Sequence, residues 1–197
     1  STRPVLSLVV PVYFEEAGLQ RFYSRVVDAL APVADELELE LVFVDDGSKD
    51  DSLRVLLRLR EQDPRVKVLA FSRNFGHQIA VTAGVDHARG DVVVIIDDDL
   101  QDPPEVILQM LERWREGYKV VYGVRSRRKG ESAFKLLTAK LFYRALGYLS
   151  DIPIPLDTGD FRLMDRAVVT ALGQMREESR YIRGMVSWVG FRQCGIT

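Results

Sequence analysis

The chain has 197 residues, 47% of them hydrophobic and 28% charged, with a formal net charge of −2. That is enough for one sizeable core, and the near balance of charge gives no electrostatic argument for a nucleic-acid partner. The single cysteine, Cys194, excludes an intrachain disulfide framework and suits a reducing compartment, and no segment reads as a secretory signal or as an apolar run able to span a bilayer.

Val5 to Val12 (VLSLVVPV) reads as a first buried strand, limited near its end by Pro11. An amphipathic helix is expected from Ala17 to Ala34. Leu39 to Val44 is a second strand that ends in Asp45-Asp46-Gly47-Ser48, with Ser48 placed to cap a helix running to about Gln62. Val66 to Phe71 is a third strand, Ser72 to Gly76 a loop, and His77 to Ala88 a third helix. After a turn at Gly90-Asp91, Val92 to Ile96 is an unbroken apolar run of the kind buried in a parallel sheet. Asp102 before Pro103 resembles an N-cap with proline in the first helical position, opening a helix to Glu116. Lys119 to Val124 is a fifth strand. A basic loop (Arg125 to Gly130) and a long helix (Glu131 to Leu149) follow. Then come a short strand and helix to about Leu172, a short helix at Tyr181 to Val189, and a final strand from Gly190. Strands and helices alternating over short links predict an α/β fold with a mostly parallel, doubly wound sheet, in one domain over 1–197. The chain stops just past a strand-like segment, so a C-terminal truncation is expected.

Asp97, Asp98 and Asp99 end the central strand, and Gln101, Asp102 and Glu105 follow. Adjacent carboxylates repel, and a strand end that gathers them suits a hard divalent cation, Mg²⁺ or Mn²⁺, which generally holds phosphate oxygens as well. An acidic turn before a helix is the alternative; it accounts for Asp102 and the prolines but not for Asp97 to Asp99. The first two strands also end in carboxylates, Glu15-Glu16 and Asp45-Asp46. One such end is commonly only a turn. Three on one sheet edge point to a nucleotide site, because ligands bind at the carboxyl ends of strands in open α/β sheets. No G-x-G-x-x-G follows the first strand and no P-loop motif occurs, which argues against a dinucleotide oxidoreductase or a P-loop enzyme. Two histidines, His77 and His87, have no zinc-site spacing and read as helix-surface or capping residues. Phe75, Trp114 and Trp188 read as packing residues.

PVYFEE, VDDGSKD and IDDDLQ, in this order and spacing, resemble the inverting glycosyltransferases of family two, whose fold is the GT-A (nucleotide-diphospho-sugar transferase) fold. SRNFGHQIAVTAGVDHARGD and DLQDPPE resemble more narrowly the polyprenyl- and dolichyl-phosphate glycosyltransferases, a subgroup with the bactoprenol glucosyltransferases and dolichyl-phosphate mannose synthases. The resemblance implies a nucleotide-sugar and metal half over 1–124 and an acceptor half over 125–197. Pro11, Tyr13, Glu15, Asp45, Asp46, Asp97 and Asp98 would line the nucleotide-sugar pocket. Asp98 fills the variable middle position of the D-x-D pair, and a solvating role is equally open to it. Asp97 and Asp99, with Gln101, would hold the metal. Arg125, Lys135 and Thr138 would meet the acceptor phosphate, and Asp157, Asp160 and Arg125 would form the catalytic set. Without the resemblance, Arg125 to Lys129 is a solvated loop and Asp157-Thr158-Gly159 a turn.

The activity implied is metal-dependent transfer of one sugar, with UDP-glucose as the default donor, to a polyprenyl phosphate with inversion at the anomeric carbon. The expected setting is the cytoplasmic face of a membrane, which the Ala133 to Leu149 helix could touch, although core packing is the commoner use of such a pattern. Self-association is left open. The rival readings are transfer to a carbohydrate hydroxyl, which needs a general base, and a non-catalytic nucleotide-sugar binding module.

Overall fold

The computed structural model describes residues 3–124, 158–175 and 181–196. The expected features at Arg125, Lys135, Thr138 and Asp157, with the rest of the basic loop and the helix after it, lie outside the described residues. In chain order the elements are β1 (Val5–Val12), α1 (Leu19–Leu30), a 3-10 turn (Ala31–Val33), β2 (Glu38–Asp45), α2 (Ser52–Gln62), β3 (Val66–Ala70) and α3 (His77–His87). They continue with β4 (Val92–Ile95), α4 (Val106–Arg115), β5 (Val120–Val124), β6 (Thr158–Asp165), α5 (Arg166–Gln174), α6 (Ile182–Trp188) and β7 (Gln193–Ile196).

The strands form one seven-stranded sheet in the order β3-β2-β1-β4-β6-β5-β7. The first four are mutually parallel, β7 is parallel to β5, and β6 runs antiparallel between β4 and β5. Successive side chains of a strand leave on opposite faces. Leu6, Leu8 and Val10 therefore meet Phe22 and Val26 of α1, Leu56 and Leu59 of α2, and Ile107 and Met110 of α4 on one face. Val9, Val42, Val93 and Ile95 meet Ala80 and Val81 of α3, Val168 and Leu172 of α5, and Ile182 and Met185 of α6 on the other. Helices cover both faces, which is why these strands read as unbroken apolar runs rather than alternating ones. Each fully buried side chain of this size contributes about 1.5–3 kcal/mol.

Pro11 sits in a central strand without costing a hydrogen bond. The Val9 carbonyl accepts from Ile96 on the β4 side. Pro11, two residues on, faces the same way, beyond the last β1–β4 pair at Val9 and Ile95. The missing N–H falls where the ladder has ended.

Several local expectations give way to tertiary ones. The first helix is shorter than 17–34 because Pro32, which has no N–H to continue it, opens the 3-10 turn. Helix α4 starts at Val106 and not at Pro103; the two prolines occupy a preceding turn, in which Pro103 and Pro104 carbonyls accept from Val106 and Ile107. Ser48 does not cap α2, which begins at Ser52; its hydroxyl instead accepts from the Phe14 N–H. Trp114 packs against the core and donates its Nε1–H to Asp165 at 2.8 Å. Phe75 and Trp188, expected to pack, are exposed, Trp188 to 62%.

Asp63, at the end of α2, accepts from Tyr23 Oη at 2.7 Å and from the Arg65 side chain and backbone at 2.8–3.0 Å. The Arg65 hydrogen bonds, more than burial opposes them, hold its carboxyl down to about 2. A depressed carboxylate stabilises the fold above the usual carboxylate range, and that contribution is lost as pH falls through about 2. Asp63→Asn is expected to cost about 2 kcal/mol at pH 7, with the gap to wild type closing as the pH of urea melts is lowered toward 2.

Candidate functional site

Because β1 to β4 are parallel, the loops that follow them share one sheet edge, and β6, running the other way, begins there. The first two loops are stitched together. Glu15 N–H donates to Ser52 Oγ at 2.9 Å, Glu16 N–H to Asp50 at 3.3 Å, and Asp51 N–H to Glu16 at 2.7 Å. This holds Tyr13 and Phe14 out in solvent, 49% and 46% exposed, with their rings edge to face at 4.5 Å. Phe14 adopts a left-handed φ of 56°, a strained choice for an aromatic residue. Glu15 is half-buried, whereas Pro11, Asp45 and Asp46 are buried.

Asp45 Oδ1 accepts from Ser48 N–H at 3.3 Å. The Asp46 carboxylate is committed to the loop after β3, accepting from Asn74 Nδ2 at 3.0 Å, Phe75 N–H at 2.7 Å and Gly76 N–H at 2.9 Å. Gly47 makes that closure feasible. Its φ is +69°, and a Cβ there would lie 2.3 Å from the carbonyl carbon of Arg73. Gly47→Val is expected to lower stability by about 2–3 kcal/mol through strain and displaced backbone, measured by denaturant unfolding.

Asp97, Asp98 and Asp99 occupy the turn after β4. Leu100 takes a φ of 57°, and Gln101, exposed, donates its N–H to Asp99 Oδ1 at 3.0 Å. Asp97 Oδ1 and Asp98 Oδ2 are buried oxygens with no hydrogen-bond partner. Burial raises the Asp97 carboxyl. Burial, then the charges of Glu15, Asp97 and Asp99, push Asp98 up to about 7. Two orphaned carboxylate oxygens are the donor set a hard divalent cation takes, since buried polar atoms otherwise find partners. Among the described residues no group of three or more His, Cys, Asp or Glu side chains could hold a metal ion by itself. The carboxylates therefore fit Mg²⁺ or Mn²⁺ as part of a shell that phosphate oxygens would complete.

The β4–β6 ladder sets the opposite wall. Val92 pairs with Asp165 and Ile95 with Arg162; Asp97 and Asp160 lie just past the last of these pairs, both within reach of His77. Asp160 is 8% exposed and accepts from His77 Nε2 at 3.0 Å, Gln78 Nε2 at 3.3 Å and Arg183 Nε at 2.9 Å. Burial alone would raise its carboxyl, but the His77 and Arg183 hydrogen bonds and charges hold it well below the carboxylate range. His77 also lies 3.9 Å from Asp97 Oδ1. The Asp160 hydrogen bond, ahead of the opposing effect of burial, raises the imidazole above its ordinary value. Arg162, 4% exposed, donates to the Gly159 carbonyl at 3.0 Å, and burial pushes its guanidinium down to about 10.

His77, Gln78 and Arg183 were not expected here. A signal existed for the first two: the loop after β3 reaches the same sheet edge as the acidic loops, so the rule that strand ends build the site covers it as well. No local signal points to Arg183, which arrives through the packing of α6.

A mostly parallel sheet with carboxylates gathered at its strand ends is the architecture of the GT-A sugar transferases. A mannosyltransferase from Pyrobaculum calidifontis, solved in complex with GDP-Man and Mn²⁺, superposes with a TM-score of 0.67 at 20% identity over 100% of this chain and 55% of its own. Glucosyl-3-phosphoglycerate synthase from Mycobacterium tuberculosis, in complex with Mn²⁺, UDP and phosphoglyceric acid, gives 0.58 at 22% identity over 85% of this chain and 58% of its own. Residues 7–173 match the family model "Glycosyl transferase family 2", and the chain belongs to that family. An uncharacterized glycosyltransferase of Bacillus subtilis is 54% identical over 96% of this chain and 58% of its own length. A prophage bactoprenol glucosyl transferase homolog of Escherichia coli is 43% identical over 94% and 60%. The chain thus spans about three-fifths of the length of these relatives.

Proposed function

We propose that this chain carries the transfer of a single sugar, from a UDP-glucose-like nucleotide diphosphate sugar, to a polyprenyl phosphate with inversion, at the cytoplasmic surface of a membrane. Residues 1–124 form the donor half and 125–197 the acceptor half. The lipid acceptor is supported by the relatives named bactoprenol glucosyl transferase, 43% identical over 94% of this chain. Among the described residues no helix is long and apolar enough to cross a membrane.

The observation that carries the reading is the condition of Asp160. A carboxylate that accepts from three side chains, two of them basic, and sits well below its ordinary range is a poor proton acceptor. A carbohydrate hydroxyl needs its proton taken; a phosphate monoester, with a second pKa near ~6, arrives largely as a dianion whose oxygen is already nucleophilic. Its difficulty is electrostatic, since one anion must approach another. Arg162 and Arg183 stand beside Asp160 on that wall, and Arg125, Lys135 and Thr138 join them in this reading as the acceptor-phosphate site. Asp157 and Asp160 position these groups.

On the donor side, Tyr13, Glu15 and Asp45 contact the base and ribose from the edge of Pro11, and Asp46 acts through the 74–76 loop it holds. Asp97, Asp99 and Gln101 would hold the divalent cation, with Asp98 beside them. The cation supplies neutralisation of the diphosphate leaving group. A radiolabelled nucleotide sugar offered first to prenyl phosphate and then to sugar acceptors tests the proposal. Label in an acid-labile lipid product is expected. Label in carbohydrate alone indicates the hydroxyl-directed rival, and donor binding without transfer to any acceptor indicates a binding module.

A further inference from the structure

Two carboxylates lie just past the end of the β4–β6 ladder. Asp97 Oδ1 is buried and accepts no hydrogen bond, and Asp160 accepts from three donors. Like charges placed this way repel unless a donor stands between them. His77 Nε2 occupies that position, 3.0 Å from Asp160 Oδ2 and 3.9 Å from Asp97 Oδ1. Its backbone is fixed independently. His77 is the first residue of α3, directly after Gly76, whose φ of +104° turns the chain into the helix. The N–H groups of Phe75 and Gly76 both donate to Asp46. The loop that Asp46 holds on the donor side therefore delivers the imidazole to the acceptor side.

We propose that His77 is a positioning residue that bridges Asp160 and Asp97, fixing the acceptor-side carboxylate relative to the carboxylates of the cation site. The inference deepens the proposed function and rests on it for the identity of the reaction. Its physical content is that His77 acts through Asp160. The geometry leaves Gln78 and Arg183 holding Asp160 when His77 is absent, so the site loses its bridge and not its fold. His77 is exposed enough for substitution without a core penalty.

A double-mutant cycle on sugar transfer to prenyl phosphate tests this. His77→Ala is expected to lower kcat by about 10–100-fold, the range for residues that orient site ligands, with the affinity for nucleoside diphosphate and Mn²⁺ unchanged within about threefold by calorimetry. His77→Gln, which keeps an amide N–H at comparable reach, recovers part of the loss. In an Asp160→Asn background, His77→Ala adds little further, because the partner it acts on is already altered. Losses that multiply, or an alanine variant with wild-type kcat, overturn the proposal. A second readout needs no turnover. The chain has two histidines, and in protein labelled with ¹⁵N-histidine the signal removed by His77→Gln identifies the His77 ring. Asp160→Asn should shift that signal and leave His87, whose Nδ1 lies 2.8 Å from the Ala83 carbonyl oxygen, unmoved. A His77 signal indifferent to Asp160→Asn overturns the bridge. If wild-type protein transfers nothing to prenyl phosphate, the proposed reaction fails, and the ¹⁵N experiment still decides the bridge.

Discussion

Asp99→Asn should lower kcat on the order of a thousand-fold, the rate equivalent of about 4 kcal/mol of transition-state stabilisation. The substitution isolates charge. Asp99 is exposed, and the hydrogen bond its side chain accepts among the described residues, from Gln101 N–H at 3.0 Å, is available to an asparagine oxygen as well. The turn with Leu100 at positive φ is therefore retained, and stability should stay within about 0.5 kcal/mol of wild type, as for surface changes generally. What is lost is an anionic oxygen beside Asp97 and Asp98, whose own buried oxygens lack partners. Steady-state rates with Mn²⁺ titrated over the variant and wild type check this. Full turnover by wild type in excess EDTA, or an unimpaired asparagine variant, removes the cation from the account.

The second large effect is at Asp160, and it is first an effect on stability. Asp160→Ala takes a carboxylate from beside Arg183 and the buried Arg162, and removing one partner from a buried charge cluster costs about 3–5 kcal/mol. Partial exposure of Arg183 discounts this to about 3 kcal/mol. The pH dependence has a definite sign. Asp160 is held below its unfolded value, so its contribution is complete above the ordinary carboxylate range and is lost only as pH falls below it. Denaturant unfolding of wild type and variant between neutral and acid pH should show the gap narrowing toward acid. Asp160→Asn, which keeps the shape, should lower transfer less than Asp99→Asn does and leave the neutral pH–rate profile without a new limb. A near-total loss with donor affinity intact would instead make Asp160 a general base.

Much of this site could be read before the structure because its chemistry sits where strands end. The apolar runs at Val5, Leu39 and Val92 identify buried strands, and the carboxylates after each fall on one edge once the strands are parallel. The acidic edge follows from those two facts. The other wall does not. It depends on β6 entering antiparallel between β4 and β5, which brings Asp160 to the same end of the sheet as Asp97, and on α6 packing Arg183 against it; neither pairing leaves a local mark. His77 was hidden for a related reason, since a histidine opening a helix has the same local pattern whether it caps the helix or reaches across a cleft. Ser48 shows the reverse. Its position before α2 looks like a cap, but its hydroxyl holds Phe14 in the neighbouring loop, and tertiary use overrides a local signal that fits equally well.

In the proposed reaction the acceptor oxygen belongs to a phosphate and needs no base from the protein. The direct measurement offers the same labelled nucleotide sugar, with Mn²⁺, to a prenyl phosphate and to the prenyl alcohol of identical chain length. Glycosylation of the phosphate is expected at a rate that stays level from neutral pH upward, with no product from the alcohol. Comparable glycosylation of the alcohol, with a rate that falls as a protein carboxylate is protonated, would contradict it.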